Sequence, residues 1–326
     1  MRIPNGTTIA FATAAGFSLV VTHAFAQLEA FPAKPVRLVV PFSAGSQTDI
    51  VSRTVGPKLA ETWGQPVVIE NRPGASGVIG ADVVAKATPD GHTLLLTSSS
   101  FVIGAAMHTN LPYAPLRDFA GVTQIGYTTG VLVVAPSLGI KIVKELVALA
   151  RERPGKILWG STGVGASTYM NGELFRMASD IKITHVGFKG QPEFIIEILA
   201  GRVHFAFAGL GPALPFIKDG RLLALAVGIP RRSPILPDVP ALAEVLPGYE
   251  KDGSYALLAP AKTPRAILGK ISKDTARALD DMAVKQKLQT FGFVPAPTTP
   301  EEHDRILRAQ IETFSKVVRV AGLRAP

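Results

Sequence analysis

Eight short, nearly continuous apolar runs recur along the chain: Val36 to Val40, Val67 to Ile69, Thr93 to Leu96, Val131 to Val134, Ile183 to Val186, Val203 to Phe207, Leu222 to Val227 and Tyr255 to Leu258. Runs of this length, rich in Val, Ile and Leu, suit strands buried on both faces. Helical patterns lie between many of them. Ile50, Val51, Thr54, Val55, Leu59 and Trp63 fall on one helical face, which Gly64 stops. Pro192 opens and Gly201 closes "PEFIIEILAG", and Thr299-Pro300-Glu301-Glu302 combines a capping box with a first-turn proline. This alternation predicts an α/β protein with largely parallel sheets.

The runs outnumber the strands of one tidy sheet, and 326 residues suffice for one large or two ordinary domains. "VLVVAPS" (131–137) and "SYALLAPAKTP" (254–264) are similar strand-then-proline stretches. Taken as crossing strands, they make residues 128–252 an inserted second lobe, with 27–127 and 253–326 forming the first. The final helices, from roughly Pro264 and Pro300, are expected to pack back on that first lobe.

Residues 1–26 read as a secretory signal: Arg2 is the only charge, an apolar stretch runs from Ile9 to Val21, and Ala24-Phe25-Ala26 is an A-x-A cleavage site. Cleavage after Ala26 would leave Gln27 first. No later run reaches the roughly 20 apolar residues of a spanning helix. The chain has no cysteine, so it carries no lipidated Cys and no thiolate metal site, and a soluble periplasmic protein is expected. Its formal charge is +9, or +8 once Arg2 is removed. That balance is compatible with anionic ligands. Nucleic acid is not expected, because the basic residues are scattered and aromatics are only 7%.

"VVPFSAGSQTDIVSRTVGPKLAETWG" (39–64) passes from a strand through a small-residue loop into a helix, and such a helix start offers bare N–H groups to an anion. A P-loop is excluded, since no Gly-Lys is followed by Ser or Thr. Gly163-Val164-Gly165 lacks the third glycine of a dinucleotide fingerprint. G-x-S-x-G is absent, and no two of His92, His108, His185, His204 and His303 stand at a ligand-like spacing, so neither a catalytic serine motif nor a metal site is legible. A second loop of the same type, "ILWGSTGVGASTYMNGELF" (157–175), suggests two helix starts facing one another across a cleft.

The stretches "FPAKPVRLVVPFSAGSQTD", "WGQPVVIENRPGASGVIGADVVAKATPDGHTLLL", "STGVGASTYMNGELF", "HVGFKG" and "ILAGRVHFAF" followed by "RRSPILPDVPALAE" occur in this order between Phe31 and Gly322. In them the chain resembles the Bug/TctC receptors, the soluble components of tripartite tricarboxylate transporters. The resemblance implies a type II-like periplasmic binding protein, two α/β lobes joined by two crossing strands that act as a hinge, closing over a small organic acid. It implies delivery to integral-membrane permease subunits, with no catalysis, cofactor or metal, and a monomer is expected. The first ligand loop would be Phe42, Ser43, Ala44, Gly45, Ser46 and on to Asp49. The second would be Ser161, Thr162, Gly163 and on through Gly165 and Ala166 to Ser167. Backbone N–H groups of Ala44, Gly45, Ser46, Gly163, Gly165 and Ala166 would receive carboxylate oxygens directly or through water. Thr97, Ser98 and Ser99 would line the cleft, and Asp49 would either cap its helix or meet a polar end of the ligand.

The chain departs from the family pattern at several places. Gly45-Ser46 stands for Gly-Gly, Tyr169 for His, Gly187-Phe188 for Pro-Tyr, Ala208 for Asp, and Ser254 for Trp. Tyr169, Phe188 and Ala208 are thus expected at a reshaped, less polar site that favours an aromatic or longer aliphatic carboxylate over citrate. Two rival readings remain: a receptor that passes ligand occupancy to a membrane sensor, and an exported α/β hydrolase. The hydrolase requires a cleft serine within hydrogen-bonding reach of His185 or His204.

Overall fold

Each apolar run overlaps a strand, and in the central strands successive side chains are buried on opposite faces of a sheet. Leu38, Leu94, Leu96 and Leu257 share one core, while Val39, Leu95 and Leu258 share the core on the other face. The computed structural model describes residues 31–108, 110–128, 130–228, 232–246, 253–320 and 322–323. The signal segment 1–26, the cleavage site after Ala26, and residue 252 at the second lobe limit lie outside the described residues.

In chain order, the first elements are β1 (Val36–Val40), α1 (Gln47–Trp63), β2 (Val67–Asn71), α2 (Val78–Ala85), β3 (Thr93–Ser98), α3 (Ser100–Met107), α4 (Pro115–Asp118) and β4 (Phe119–Thr128). Next come β5 (Gly130–Val134), α5 (Val143–Glu152), β6 (Leu158–Ser161), α6 (Ser167–Ser179), β7 (Thr184–Gly187), α7 (Gln191–Leu199), β8 (Phe205–Gly209), α8 (Leu210–Lys218), β9 (Leu223–Val227) and α9 (Leu242–Val245). The last are β10 (Ser254–Pro260), α10 (Arg265–Asp280), α11 (Met282–Gln289), β11 (Phe293–Pro295) and α12 (Pro300–Val320).

Two sheets result, ordered β11-β4-β10-β3-β1-β2 and β7-β6-β8-β5-β9. Both are mixed rather than mostly parallel. β1 pairs in parallel with β2 and β3, and β6 with β7 and β8, but β10 runs antiparallel to β3 and β4, and β5 antiparallel to β8 and β9. The reversed strands β5 and β10 are the two proline-tailed stretches singled out in the sequence. Each is the first strand after the chain passes from one sheet to the other, so it lies wholly within one sheet, with the crossing just ahead of it.

Helices cover both faces of each sheet. α1, α10 and α11 enclose one core of the first lobe, and α2, α3 and α12 the other. In the second lobe α5 and α6 lie on one face, α7 and α8 on the other. Helix boundaries follow local chemistry. Gly64 ends α1 at φ 60°, and Thr299 and Glu302 exchange capping bonds of 2.9 and 3.2 Å at the start of α12. Trp63 closes α1 against the returning chain: its indole N–H donates to Asp274 of α10 at 2.9 Å. A smaller apolar cluster joins the lobes, with Ile103 and Met107 of α3 and Val318 of α12 meeting Met170 of α6.

Gly172 of α6 lies directly on the buried indole of Trp159, where an added Cβ would fall 2.1 Å from the ring. Gly172→Ala is therefore expected to cost about 2–3 kcal/mol through overpacking, read as a lower urea midpoint with an unchanged slope. A pH effect follows from His303, which is 2% exposed in α12 with neither ring nitrogen partnered. Burial pulls its pKa from 6.5 to about 4. The unfolded chain takes up this proton near pH 6.5, whereas the native state resists it until about pH 4, so stability is lost as pH falls through that interval and levels off below it. Urea titrations across this range should show a shallower decline for His303→Leu than for the unaltered chain.

Candidate functional site

Parallel strands of both sheets end at the same place, and the helices that follow them begin there. α1 and α3 start from the first lobe, and α6, α7 and α8 from the second, so five helix N-termini converge between the sheets. Each presents first-turn N–H groups without intrahelical acceptors and the positive end of its dipole.

The first loop holds its own shape. Ser46 caps α1, its hydroxyl accepting the Asp49 N–H at 3.3 Å. Gly45, at φ 77°, donates its N–H to the Asp49 carboxylate at 2.8 Å, and the Ser46 N–H goes to the Ser43 carbonyl. The same carboxylate accepts from the Arg53 guanidinium at 2.9 Å and from the Asn71 amide at 2.9 Å. Asp49 is 2% exposed and accepts from three groups, so it is the bolt of the loop. The Gly45 and Ser46 N–H groups are likewise held within the loop, by Asp49 and by the Ser43 carbonyl. Ala44 and Gly45 form an exposed tip, with Gly45 against Pro192 of the other lobe.

The second loop is built alike. The Gly163 N–H donates to the Ser161 hydroxyl at 3.0 Å, the Ala166 N–H to the Gly163 carbonyl, and the Thr162 N–H to the Thr168 hydroxyl at 2.9 Å. Gly163 and Ala166 are therefore also engaged, and Gly165 is packed against His108. The Ser167 N–H, at the start of α6, donates across the cleft to the Ser100 hydroxyl at 2.9 Å. Tyr169 stacks on Trp159 at 5.5 Å and meets His185 edge-on at 4.9 Å. Thr97 is buried within β3, and its neighbours Ser98 and Ser99 line the cleft instead.

Ser161 and His185 do approach: Oγ and Nε2 are 2.6 Å apart, the contact that a hydrolase would require. Burial lowers the His185 pKa from 6.5 to about 4, so the ring is neutral, and Nε2 shares a hydrogen bond with the Ser161 hydroxyl. Ser161 is 0% exposed and its hydroxyl also accepts the Gly163 N–H. Among the described residues no carboxylate forms an ion pair with His185. This pair pins the second loop to β7 and does not present a nucleophile to the cleft.

Between the helix starts lies an inner cavity of about 30 Å³, adjoined by one of about 10 Å³ that shares Ser98, Ser167, Thr168, Gln191 and Tyr255 with it. Ala208 forms part of its wall, while Phe42, Ser46 and Thr162 border the smaller void. Among the described residues, no charged side chain lines either space. Asn171 Oδ1 and Thr128 Oγ1 are buried without a partner and belong to the inner cavity's lining. Tyr255, whose pKa burial raises, stays protonated there. Gln47 Oε1 accepts the Gly211 N–H from the other lobe at 2.9 Å, leaving its buried Nε2 unpaired. At the cleft mouth a vestibule of about 530 Å³ is shared by both lobes, with Phe188 and Ser76 among its walls, and Thr162 lines it as well as the inner void. The sequence reading missed Gln47, Ser100, Thr128, Asn171, Gln191 and Tyr255. Gln191 and Ser100 had a signal available, as first residues of helices that follow strands, whereas Thr128, Asn171 and Tyr255 reach the cavity only through lobe packing.

Among the described residues, no helix is long and apolar enough to cross a membrane, and no cluster of three metal-ligating side chains occurs. The fold superposes on the periplasmic binding protein BugD with a TM-score of 0.87 at 27% identity, covering 90% of this chain and 99% of that one. The R. palustris protein Rpa4515, solved with adipate, matches with a TM-score of 0.87 at 32% identity over the same shares. BugT of Bordetella pertussis is 32% identical over 299 residues, 91% of this chain and 92% of BugT. Residues 51–323 match the profile described as the tripartite tricarboxylate transporter family receptor. With this profile, these relatives and a two-lobed periplasmic binding protein fold in agreement, the chain belongs to the tripartite tricarboxylate transporter receptor family.

Proposed function

We propose that this protein is a periplasmic solute receptor that closes its two lobes over a small organic carboxylate and delivers it to integral-membrane permease subunits. The observation that carries this reading is the convergence of five helix N-termini on a buried polar cavity whose described lining holds no charged side chain. Such a site attracts an anion through oriented dipoles and neutral hydroxyl and amide groups, without a lysine or arginine whose charge would slow release. The inner cavity has room for about one or two water molecules, a scale that suits a carboxylate group rather than a whole ligand. The body of the ligand would then extend toward the vestibule beside Phe188. This geometry favours an aromatic or longer aliphatic acid over citrate, and the adipate held by Rpa4515 supports that preference. The reading is one of binding rather than catalysis, since the Ser161 hydroxyl is committed on both sides. We take the lobes as residues 27–127 with 253–326 and residues 128–252, and the receptor as a monomer.

Thermal unfolding of the mature chain against aliphatic and aromatic mono-, di- and tricarboxylates tests this. A bound acid at 100 times its Kd is expected to stabilise the fold by roughly 2.7 kcal/mol, and a panel without any shift, or with citrate strongest, would refute the reading. Asn171→Leu separates binding from folding. It removes a buried polar atom that lacks a protein partner, so stability should hold or rise slightly, while affinity for the best carboxylate falls about tenfold or more by calorimetry.

A further inference from the structure

The vestibule is much larger than the inner cavity, and both lobes build it. Ser76 and His108 come from the first lobe, and Phe188, Lys189 and Glu193 from the second. Among the described residues, two of these side chains carry a buried polar atom without a hydrogen-bond partner. Glu193 Oε1 accepts the Ser43 hydroxyl at 2.7 Å, but its Oε2, packed beside Gly190, is shielded from solvent and has no hydrogen-bond partner. His108 Nε2, against Gly165, is shielded and unpartnered too. Lys189 lines the same space but is exposed, and among the described residues no cation lies within 4 Å of the Glu193 carboxylate. A carboxylate oxygen removed from water without a donor is costly, and a donor brought by a ligand removes that cost.

We propose that the vestibule is a distal subsite for a hydrogen-bond-donating or cationic end group of an elongated organic acid, with Glu193 as its acceptor. This rests on the receptor reading above and narrows it. The acid end lies among the helix starts, the chain passes Thr162, and the far end is an amine or hydroxyl rather than a second carboxylate. A second carboxylate would stand beside Glu193 and meet like charge. Ser43 is the positioning residue, since its hydroxyl fixes Oε1 and leaves Oε2 as the oxygen that requires a donor. Because Ser43 and Glu193 belong to different lobes, the acceptor is set in place only when the lobes are closed.

The test compares four acids of one chain length by calorimetry: hexanoate, adipate, 6-hydroxyhexanoate and 6-aminohexanoate. The amino acid is expected to bind tightest, about tenfold or more above adipate, with the hydroxy acid between them. Glu193→Gln keeps the shape and removes the charge, so it should collapse the ratio of amino acid to adipate toward one while its unliganded melting temperature stays near that of the unaltered chain. Ser43→Ala should reduce the same ratio less. If adipate or hexanoate binds tightest and Glu193→Gln leaves the ratios unchanged, the distal subsite is overturned and the carboxylate receptor stands. If none of the four acids binds, while another carboxylate of the wider panel does, the elongated end-to-end placement is wrong. Failure of every carboxylate removes both readings together.

Discussion

The polarity of the strands governs this molecule. A strand followed by a helix in a parallel sheet must deliver the start of that helix at the sheet's carboxyl edge, and in this chain the edges of both sheets meet. Five helix dipoles therefore point into one small volume, and the first-turn N–H groups there lack intrahelical acceptors by the geometry of helix ends. Reversing β5 and β10 does not disturb this arrangement. The chain crosses between the lobes just ahead of those strands, and their reversal leaves β1, β3, β6, β7 and β8 free to feed helices into the cleft.

Such a convergence of positive dipole ends would be unstable if the loops were loose, and much of the local chemistry keeps them tight. In the first loop a single carboxylate, Asp49, gathers a glycine N–H, an arginine and an asparagine. In the second, Ser161 ties Gly163 to His185, and Thr168 folds back on Thr162. The glycines and serines that look like ligand donors thus have internal duties. Their effect on a ligand is indirect: they set where the next N–H groups and hydroxyls point, and a rigid arrangement of neutral donors does not have to reorganise when an anion arrives.

The closed cleft is held by a few hydrogen bonds, one of them to a carboxylate. Ser43 reaches Glu193, Ser76 donates to the Val164 carbonyl at 2.6 Å, the Gly211 N–H reaches Gln47, and Ser100 accepts from Ser167. Each such bond is worth about 0.5–1.5 kcal/mol net, and the apolar seam around Met170 adds to them. Contacts of that size suit two lobes that must separate to exchange a ligand.

Much of the fold was legible in the residues. The apolar runs located strands, and Gly64, Pro192 and Thr299 marked helix ends, since these effects depend on backbone sterics and hydrogen bonding within a few positions. The two loops were legible for the same reason, as small residues between a strand and a helix. Individual roles were less so. Asp49 was open between cap and ligand contact; Ser46 turns out to be the cap, and the Asp49 carboxylate is held by Gly45 and by Arg53 and Asn71, brought beside it by α1 and β2. Tyr169 stands beside a ligand loop in the chain yet turns onto Trp159, because helical rotation carries it away from the cleft. Thr128, Asn171, Tyr255 and Glu193 carry no local signature at all. The sequence by itself determined the strand and helix alternation and the placement of loops at helix starts, because those follow from near-neighbour periodicity. Only the tertiary structure decided which polar atoms remain unpaired in the cleft, because pairing depends on which surfaces of the two lobes meet.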